Sequence, residues 1–217
     1  MNDNSCRIAV LVSGEGTNLQ ALIDAAAAGE LSGRICAVLS DRTRARGLDR
    51  ARSAGIPARA IDVLATRVPD YDRAMCAALE ASQPDVVVLA GYMRILSQAC
   101  VAAFGDRTLN LHPSLLPRHK GSDTHRRVLA AGDGEHGATV HFVTAELDGG
   151  PPVVQYRLPV RTSDTVETLS ARVHRGEHII LPMAVRWFCE RRLRVSEGIV
   201  MLDGQPLQRP IVVEERP

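Results

Sequence analysis

Aromatic residues are scarce in this chain of 217 residues, at 3% of the sequence, so its core must be largely aliphatic. Net charge is almost absent too, because 26 basic and 25 acidic side chains leave a formal charge of +1. That balance gives no electrostatic reason to expect nucleic acid or an anionic membrane as the main partner. No apolar stretch approaches the roughly 20 residues of a membrane helix, and the first residues lack the pattern of a signal peptide. These absences predict a cytoplasmic protein that binds neither nucleic acid nor a membrane.

Cysteine is present, but in no disulfide or metal-binding pattern. The number of cysteines is odd and no Cys-x-x-Cys pair occurs; the five are Cys6, Cys36, Cys76, Cys100 and Cys189. Such wide spacing in a cytoplasmic protein predicts reduced, mostly buried thiols. Disulfides and a cysteine metal site are the less favoured alternatives.

The first half of the chain alternates between two kinds of hydrophobic pattern. Continuous apolar runs are typical of strands covered on both faces, and the segments between them have apolar stripes at helical spacing. The predicted strands are 7–13, 34–40, 58–62 and 85–90, and the predicted helices are 17–28, 43–54 and 69–82. Thr17 and Gln20 fit a capping box for the first helix. The alternation predicts an α/β fold with a doubly wound, mostly parallel sheet.

The second half of the chain has a different order of elements. We expect strands at 108–111, 139–144 and 153–158, helices at 124–131 and 164–192, and a hairpin at 200–207. The last two of those strands form an antiparallel pair in this prediction, and Asp164 with Glu167 fits a capping box for the long C-terminal helix. The tail after about residue 208 is expected to be loose. Since no linker or repeat interrupts the sequence, residues 1–217 are predicted to be one domain with halves at 1–105 and 106–217.

A glycine-rich turn follows the first predicted strand. It reads Ser-Gly-Glu-Gly-Thr-Asn over residues 13–18, and a helix that begins there offers N–H groups to an anion. A dinucleotide fingerprint would need a third glycine where Leu19 stands, although Asp41 is placed as a ribose-binding acid would be. The sequence therefore favours a monophosphate site at Gly16, Thr17 and Asn18. A plain structural glycine turn is the alternative, because short glycine motifs are weak signals.

The most informative pattern is a pair of polar residues at a predicted strand end. Asn110 and His112 are two residues apart, so their side chains point to the same face, and Asp148 lies in a glycine turn that could fold over them. An amide, an imidazole and a carboxylate, without an activated Ser or Cys, suit stabilisation of an oxyanion when the substrate brings its own nucleophile.

Two other groups of polar residues have weaker support. His112, His119, His125, His141 and Asp148 could hold zinc, but their spacing matches no metal motif, so no metal is expected. Glu177 lies on the long helix among basic residues, and the sequence alone favours a solvated helix face for it.

Together these segments resemble the phosphoribosylglycinamide formyltransferase family, also known as glycinamide ribonucleotide transformylases. The resemblance covers nearly the whole chain and is carried by residues 12–20, 87–96, 109–117, 135–144 and 146–151. It implies the formyltransferase fold and formyl transfer from 10-formyltetrahydrofolate to the amine of glycinamide ribonucleotide, in purine biosynthesis. The Ser-Gly-x-Gly-Thr-Asn-Leu segment separates this family from methionyl-tRNA formyltransferase.

The resemblance also implies a role for each half and for individual residues. The first half is Rossmann-like and binds phosphate, and the second half is catalytic and binds folate. Asn110, His112 and Asp148 are the implied catalytic set: the amine attacks the formyl carbon directly, Asn110 and His112 stabilise the oxyanion, and Asp148 relays a proton. The implied ribonucleotide-binding residues are Gly16, Thr17, Asn18, His174 and Glu177. The implied folate-binding residues are Met93, Arg94, Ile95, Leu96, Asn110, His141, Thr144, Ala145, Glu146, Leu147 and Asp148.

Two positions depart from the family pattern. Relatives often have an arginine for the folate tail where Val68 stands, and Arg67 could replace it. Lys120 stands where relatives usually have proline, which leaves the shape of that loop open. A formyltetrahydrofolate hydrolase and a non-catalytic nucleotide- or folate-binding module are the alternative functions, and the sequence leaves a homodimer open.

Overall fold

The computed structural model describes residues 5–64 and 67–216. Its centre is an eight-stranded sheet with the strand order β11-β7-β6-β5-β4-β1-β2-β3, beside a small three-stranded sheet with the order β10-β9-β8. The strands are β1 (Cys6–Val12), β2 (Gly33–Ser40), β3 (Ala58–Ala60), β4 (Val86–Leu89), β5 (Thr108–His112), β6 (Glu135–Phe142), β7 (Pro152–Pro159), β8 (Leu193–Ser196), β9 (Ile199–Leu202), β10 (Gln205–Pro206) and β11 (Ile211–Glu214). The helices are α1 (Thr17–Ala27), α2 (Arg46–Ser53), α3 (Val68–Ser82), α4 (Gln98–Phe104), α5 (Thr124–Ala131) and α6 (Val166–Cys189).

The predicted doubly wound, mostly parallel sheet is confirmed. Strands β1 to β5 pair with one another in parallel, and β6 pairs antiparallel with both β5 and β7. The chain builds β1, β2 and β3 towards one edge and then returns to place β4 on the other side of β1. The order of the strands therefore reverses between β1 and β4, which is where open α/β sheets bind ligands.

Helices cover both faces of the sheet, as the continuous apolar strands require. In β1, Ile8, Val10 and Val12 belong to one core, whereas Ala9 and Leu11 belong to the other. The first core packs against α1, α2 and α6, and the second against α3 and α4. Because alternate side chains of a strand point to opposite faces, one apolar run fills two cores.

Several predicted boundaries and caps are wrong. Gly16, not Thr17, is the N-cap residue of α1, and no described side chain caps that helix. In α6 the capping box joins Thr165 and Thr168 rather than Asp164 and Glu167. Helix α4 was not predicted, since its seven residues are too few to show a helical period.

The tail after residue 208 is not loose, which corrects the prediction. Residues Ile211–Glu214 form β11 and extend the sheet by parallel pairing with β7. The carboxylate of Glu215 then pairs with the buried guanidinium of Arg172 on α6. The β-branched run at Ile211–Glu214 is a local strand signal that the prediction missed, whereas its partners come from distant parts of the chain.

The prediction of five reduced thiols is also wrong. The structure joins Cys76 of α3 and Cys100 of α4 in a disulfide, with their Cα atoms 5.6 Å apart, a separation that disulfides ordinarily span. The pair could not be foreseen because α4, which brings Cys100 to α3, was itself missed. Over residues 5–64 and 67–216, no helix is both long and apolar enough to cross a membrane.

Candidate active site

Three loops meet at the carboxyl edge of the sheet. They follow β1, β4 and β5, which are adjacent parallel strands. The loops after β1 and β4 are joined directly, because the Ser13 N–H donates to the Gly91 carbonyl at 3.1 Å and the Met93 N–H donates to the Ser13 hydroxyl at 2.8 Å. The glycine turn and the predicted folate loop are therefore one connected structure.

A cleft of about 440 Å³ opens at this edge. Its walls are parts of the segments 89–96, 110–113, 121–124 and 141–148. Every residue that the sequence assigns to folate binding or catalysis lines this cleft. Met93, Ile95 and Leu147 expose 69%, 68% and 51% of their surface at its rim, so the opening has an apolar border suited to an aromatic ligand.

His112 is buried and has an acceptor on each side of its ring. Its Nε2 lies 3.0 Å from the His119 carbonyl oxygen, and its Nδ1 lies 3.4 Å from the Oδ2 of Asp148. A carbonyl can only accept, so Nε2 carries a proton. An imidazole that faces two acceptors is best satisfied when both nitrogens are protonated. An N–H on Nδ1 would point to the Asp148 carboxylate, so this side of the ring can serve as a donor in the cleft.

Asp148 is positioned by a tight turn and by a backbone donor. The Gly149 N–H donates to the Glu146 carbonyl at 3.1 Å, and the Gly121 N–H donates to the Asp148 Oδ2 at 2.8 Å. A Cβ on Gly150 would lie 1.8 Å from the Phe142 carbonyl oxygen, so only glycine allows this turn to approach the end of β6. This explains the second of the two glycines that follow the carboxylate.

Asn110 and His141 face each other across the pair of strands β5 and β6. The Nδ1 of His141 lies 2.8 Å from the Phe142 carbonyl, so this nitrogen carries the proton. Burial lowers the pKa of His141, which keeps the ring neutral and makes Nε2 an acceptor. The Asn110 Nδ2, at 3.0 Å from that Nε2, therefore donates one N–H to it. Its second N–H remains for another acceptor.

The loop after His112 is fixed by contacts that the sequence did not reveal. The Thr139 hydroxyl donates to the Ser114 carbonyl at 2.6 Å and accepts from the Leu116 N–H at 3.1 Å. His119 Nε2 lies 2.6 Å from Asp133 Oδ2. This contact holds His119 in place, and the His119 carbonyl in turn contacts the candidate catalytic residue His112. The backbone groups of His119 and Gly121 thus contact two of the candidate catalytic side chains, His112 and Asp148, and no side-chain pattern could have predicted these contacts.

The two departures from the family pattern have different outcomes. The Lys120 ammonium lies 2.6 Å from the Glu146 carboxylate, so it links its loop to the turn that carries Asp148. Arg67 is exposed at the start of α3. The side chain of Val68 lies outside the described part of the chain, and substitution by Arg67 stays a prediction.

The predicted phosphate loop ends in the N-terminus of α1. Gly16 has φ of 71°, a left-handed conformation that favours glycine. With no described side chain capping α1, the first N–H groups of the helix, including those of Thr17 and Asn18, are available to an anion. Leu19 is fully buried and Asp41 is 2% exposed. Neither suits the dinucleotide alternative, which needs a glycine where Leu19 stands and an accessible acid where Asp41 stands.

Glu177 is buried beside the phosphate loop, so the solvated-face interpretation is wrong. Its Oε2 accepts from the Asn18 amide at 2.9 Å and from His174 Nδ1 at 2.8 Å. Burial would raise the pKa of Glu177, but the His174 contact and the Asn18 amide outweigh it and lower the pKa overall. The same contact raises the pKa of His174. Both shifts favour the charged form of the pair, which joins α6 to the start of α1.

The remaining histidines do not gather around one point. His125 Nδ1 and His136 Nε2 are 2.9 Å apart in a pair of their own. Burial lowers the pKa of His136 to about 3, so its ring is neutral. In the part of the chain that the structure describes, no group of three or more His, Cys, Asp or Glu residues is arranged to hold a metal ion.

Several known proteins are similar to this chain in sequence and in architecture. The Formyl transferase family matches residues 6–185. A phosphoribosylglycinamide formyltransferase of Escherichia coli strain K12 is 48% identical over 201 residues, covering 92% of this chain and 95% of that protein. A solved structure of the enzyme of that name from Coxiella burnetii has a TM-score of 0.92 at 44% identity, covering 96% of this chain and 99% of its own.

A more distant solved structure has a different function. It is a formyltetrahydrofolate deformylase from Pseudomonas syringae pv. tomato, with a TM-score of 0.85 at 27% identity, and it is matched over 92% of this chain but 66% of its own. Proteins named as transferases and a protein named as a deformylase thus have this fold. Because the family match spans most of the sequence and the relatives match nearly its full length, the chain belongs to the formyl transferase family.

Proposed function

We propose that this chain transfers the formyl group of 10-formyltetrahydrofolate to the primary amine of glycinamide ribonucleotide, as a step of purine biosynthesis. One observation carries the proposal. An amide N–H, an imidazole between two acceptors and a buried carboxylate converge in the cleft beside an uncapped helix N-terminus. The cleft suits a folate and the helix N-terminus suits a phosphate, so two substrates can meet between them.

Asn110 and His112 stabilise the developing oxyanion. When the amine attacks the formyl carbon, negative charge builds on the formyl oxygen. The second Nδ2–H of Asn110 is not used by His141 and can donate to that oxygen. On His112, the Nε2–H is bound to the His119 carbonyl, so the Nδ1 side is the one that reaches the substrate. Donors that are fixed in position and aimed at the developing charge stabilise it strongly.

Asp148 accepts and passes on the proton that is transferred in the reaction. The attacking amine loses one proton, and the N10 nitrogen of tetrahydrofolate gains one when its bond to the formyl carbon breaks. Asp148 is close to the Nδ1 of His112 and keeps its second oxygen, Oδ1, near His141 at 3.9 Å. The carboxylate accepts the amine proton, through a water molecule, and the proton then passes to N10.

Gly16, Thr17 and Asn18 bind the ribonucleotide phosphate through their N–H groups. Glu177 orients this site, because it fixes the Asn18 amide and the half-exposed His174 side chain. The folate lies along 93–96 and 144–148, where backbone groups bind the pterin and apolar side chains form the rim. Activity without a metal, a cytoplasmic location and a homodimer stay predictions from the sequence.

The experiment that tests the proposal is a product assay with purified chain and both substrates. We expect formylated ribonucleotide and tetrahydrofolate in equal amounts, and no release of tetrahydrofolate when the ribonucleotide is left out. Tetrahydrofolate and formate formed without the ribonucleotide would instead indicate a hydrolase. Binding of both ligands without any turnover would indicate a binding module.

A further inference from the structure

The first turn of α2 packs directly against the glycine turn that precedes α1. The Gly47 N–H donates to the Gly14 carbonyl oxygen at 3.0 Å. A Cβ atom built on Gly16 would lie 2.6 Å from the Gly47 Cα, so the two backbones meet where only glycines fit. The conformation of the proposed phosphate loop therefore depends on a helix that comes later in the chain.

Arg50 of α2 makes a second contact with the same loop. Its Nε–H donates to the Glu15 carbonyl oxygen at 2.8 Å, and its Nη1 donates to the Gln20 side-chain oxygen at 3.2 Å. One planar guanidinium thus holds both the loop and the first turn of α1. A planar fork with several donors can fix two acceptors at once, which a lysine ammonium does with much less geometric control.

These contacts determine where the loop N–H groups point. In a planar trans peptide the N–H is directed opposite to the C=O. The carbonyls of Gly14 and Glu15 are both turned towards α2, so the N–H groups of Glu15 and Gly16 point away from α2. A left-handed residue such as Gly16 next to successive free N–H groups forms a concave anion site.

We infer that Arg50 is a positioning residue for the phosphate of the acceptor substrate, acting through the Glu15–Gly16 peptide. The inference rests on the proposed function, since it assigns the control of that same phosphate site. Arg50 does not touch the phosphate. It keeps the loop in the conformation that binds the phosphate, and its loss lets the Glu15 carbonyl turn towards the anion.

The chain offers a matched control for charge. Arg46 lies one turn earlier on α2, and its Nη1 is 3.0 Å from the Glu15 carboxylate, with both side chains mostly exposed. Arg46 therefore has the same charge, the same helix and the same loop residue as partner, but it contacts the side chain instead of the backbone carbonyl. An effect of charge alone should appear in variants of both arginines.

The test compares Arg50→Met, Arg50→Lys and Arg46→Met in the full chain. KM is measured for each substrate, and the dissociation constant of inorganic phosphate is measured by 31P NMR titration. We expect Arg50→Met to raise the KM of the ribonucleotide and the phosphate dissociation constant about tenfold, as for loss of one charge-assisted hydrogen bond. Its kcat and folate KM should stay within about twofold of wild type, Arg50→Lys should be intermediate, and Arg46→Met should match wild type.

Equal effects of Arg46→Met and Arg50→Met would overturn the inference in favour of general electrostatics, as would an unchanged ribonucleotide KM in Arg50→Met. If Arg50→Met does not fold by circular dichroism, Arg50→Lys decides: a raised ribonucleotide KM with unchanged kcat supports the role, and wild-type values reject it. A wild-type chain that binds phosphate but transfers no formyl group contradicts the proposed function alone. In that case the dissociation constants of inorganic phosphate for the three variants still decide the role of Arg50.

Discussion

The Oδ2 of Asp148 lies 3.4 Å from the Nδ1 of His112 and also accepts the Gly121 N–H at 2.8 Å. One carboxylate oxygen is therefore shared between the His112 imidazole and a fixed backbone donor. The backbone bond keeps the carboxylate in place, and the longer contact leaves the imidazole free to exchange its proton. The Gly121 hydrogen bond thus positions the Asp148 side chain, and the His112 contact is the one available for proton transfer.

Replacement of Asp148 by Asn tests the charge of this group. Asn keeps the size and can still accept the Gly121 N–H, but it cannot stabilise a protonated His112 or take a proton. We expect kcat to fall by about 10²-fold or more, the range for loss of general acid–base catalysis, with KM values little changed. Asp106→Asn, the same change at an exposed residue, is the control. Near-wild-type kcat in Asp148→Asn at every pH would leave the carboxylate only a loop-shaping role.

Asn110 and His112 should behave as one unit. Asn110→Ala removes the amide donor, and His112→Ala removes the imidazole. Each should lower kcat severely, and the double variant should be little worse than the more severe single variant, because groups that act on one oxyanion are not additive. Steady-state kinetics on the three variants measure this. Losses that multiply in the double variant would assign the two residues to separate steps.

Formyl transfer to an amine needs no Lewis acid in the proposed mechanism. Activity should therefore be unchanged after exhaustive treatment with EDTA and dialysis into metal-free buffer. The measurement is kcat before and after treatment, with metal content followed by elemental analysis. Loss of activity that returns on addition of stoichiometric zinc would contradict the roles given to His112 and His141.

The sequence predicted the sheet and the shared face of Asn110 and His112 because these features depend on local pattern, whereas the approach of Asp148 to this pair was implied by the family resemblance. Buried parallel strands have continuous apolar runs, and alternate residues at a strand end share a face. The glycines after Asp148 also signalled a tight turn, and the structure gives the reason in the approach of Gly150 to the Phe142 carbonyl.

Other features could not be predicted because their partners are distant in sequence. Glu177 looked like an exposed helix residue, since nothing local shows that Asn18 lies beside it. The same holds for the pairing of β11 with the edge of β7 and for the contact between the Gly121 N–H and Asp148. The burial of Glu177 follows from the packing of α6 on α1, which a single sequence does not show.

The pair Arg172 and Glu215 should contribute to stability but not to catalysis. Arg172 is 5% exposed and is held by Glu215 and by Asp164 at 2.7 Å. Glu215→Gln leaves a buried guanidinium with one carboxylate instead of two. We expect a loss on the order of 2 kcal/mol, below the cost of a fully unpaired buried charge because Asp164 remains.

That loss corresponds to a fall in Tm of about 4–8 °C for a chain of this size, with kcat unchanged. The matched control is Glu214→Gln, whose pair with Arg157 is exposed to solvent and should contribute little to stability. Equal Tm values for the two variants would show that burial of the Arg172 pair adds nothing to stability.

The His174–Glu177 pair should make stability depend on pH with a definite sign. Its contact with Glu177 raises the pKa of His174 above 6.5, so the folded state holds this proton more tightly than the unfolded state does. The stabilisation is complete below about pH 6.5 and is lost as pH rises through the raised pKa. We therefore expect the Tm gap between wild type and His174→Asn to be larger at pH 6 than at pH 9.

His178→Asn, one turn further along α6, is the control because its sign is opposite. Burial lowers the pKa of His178, so the unfolded state binds this proton more readily than the folded state does. The free-energy cost of burying His178 therefore falls as pH rises. The gap between wild type and His178→Asn should therefore grow from pH 6 to pH 9. Thermal unfolding of the three proteins at both pH values measures the two gaps. A His174→Asn gap that is constant or grows with pH would mean that the Glu177 carboxylate does not hold a charged His174.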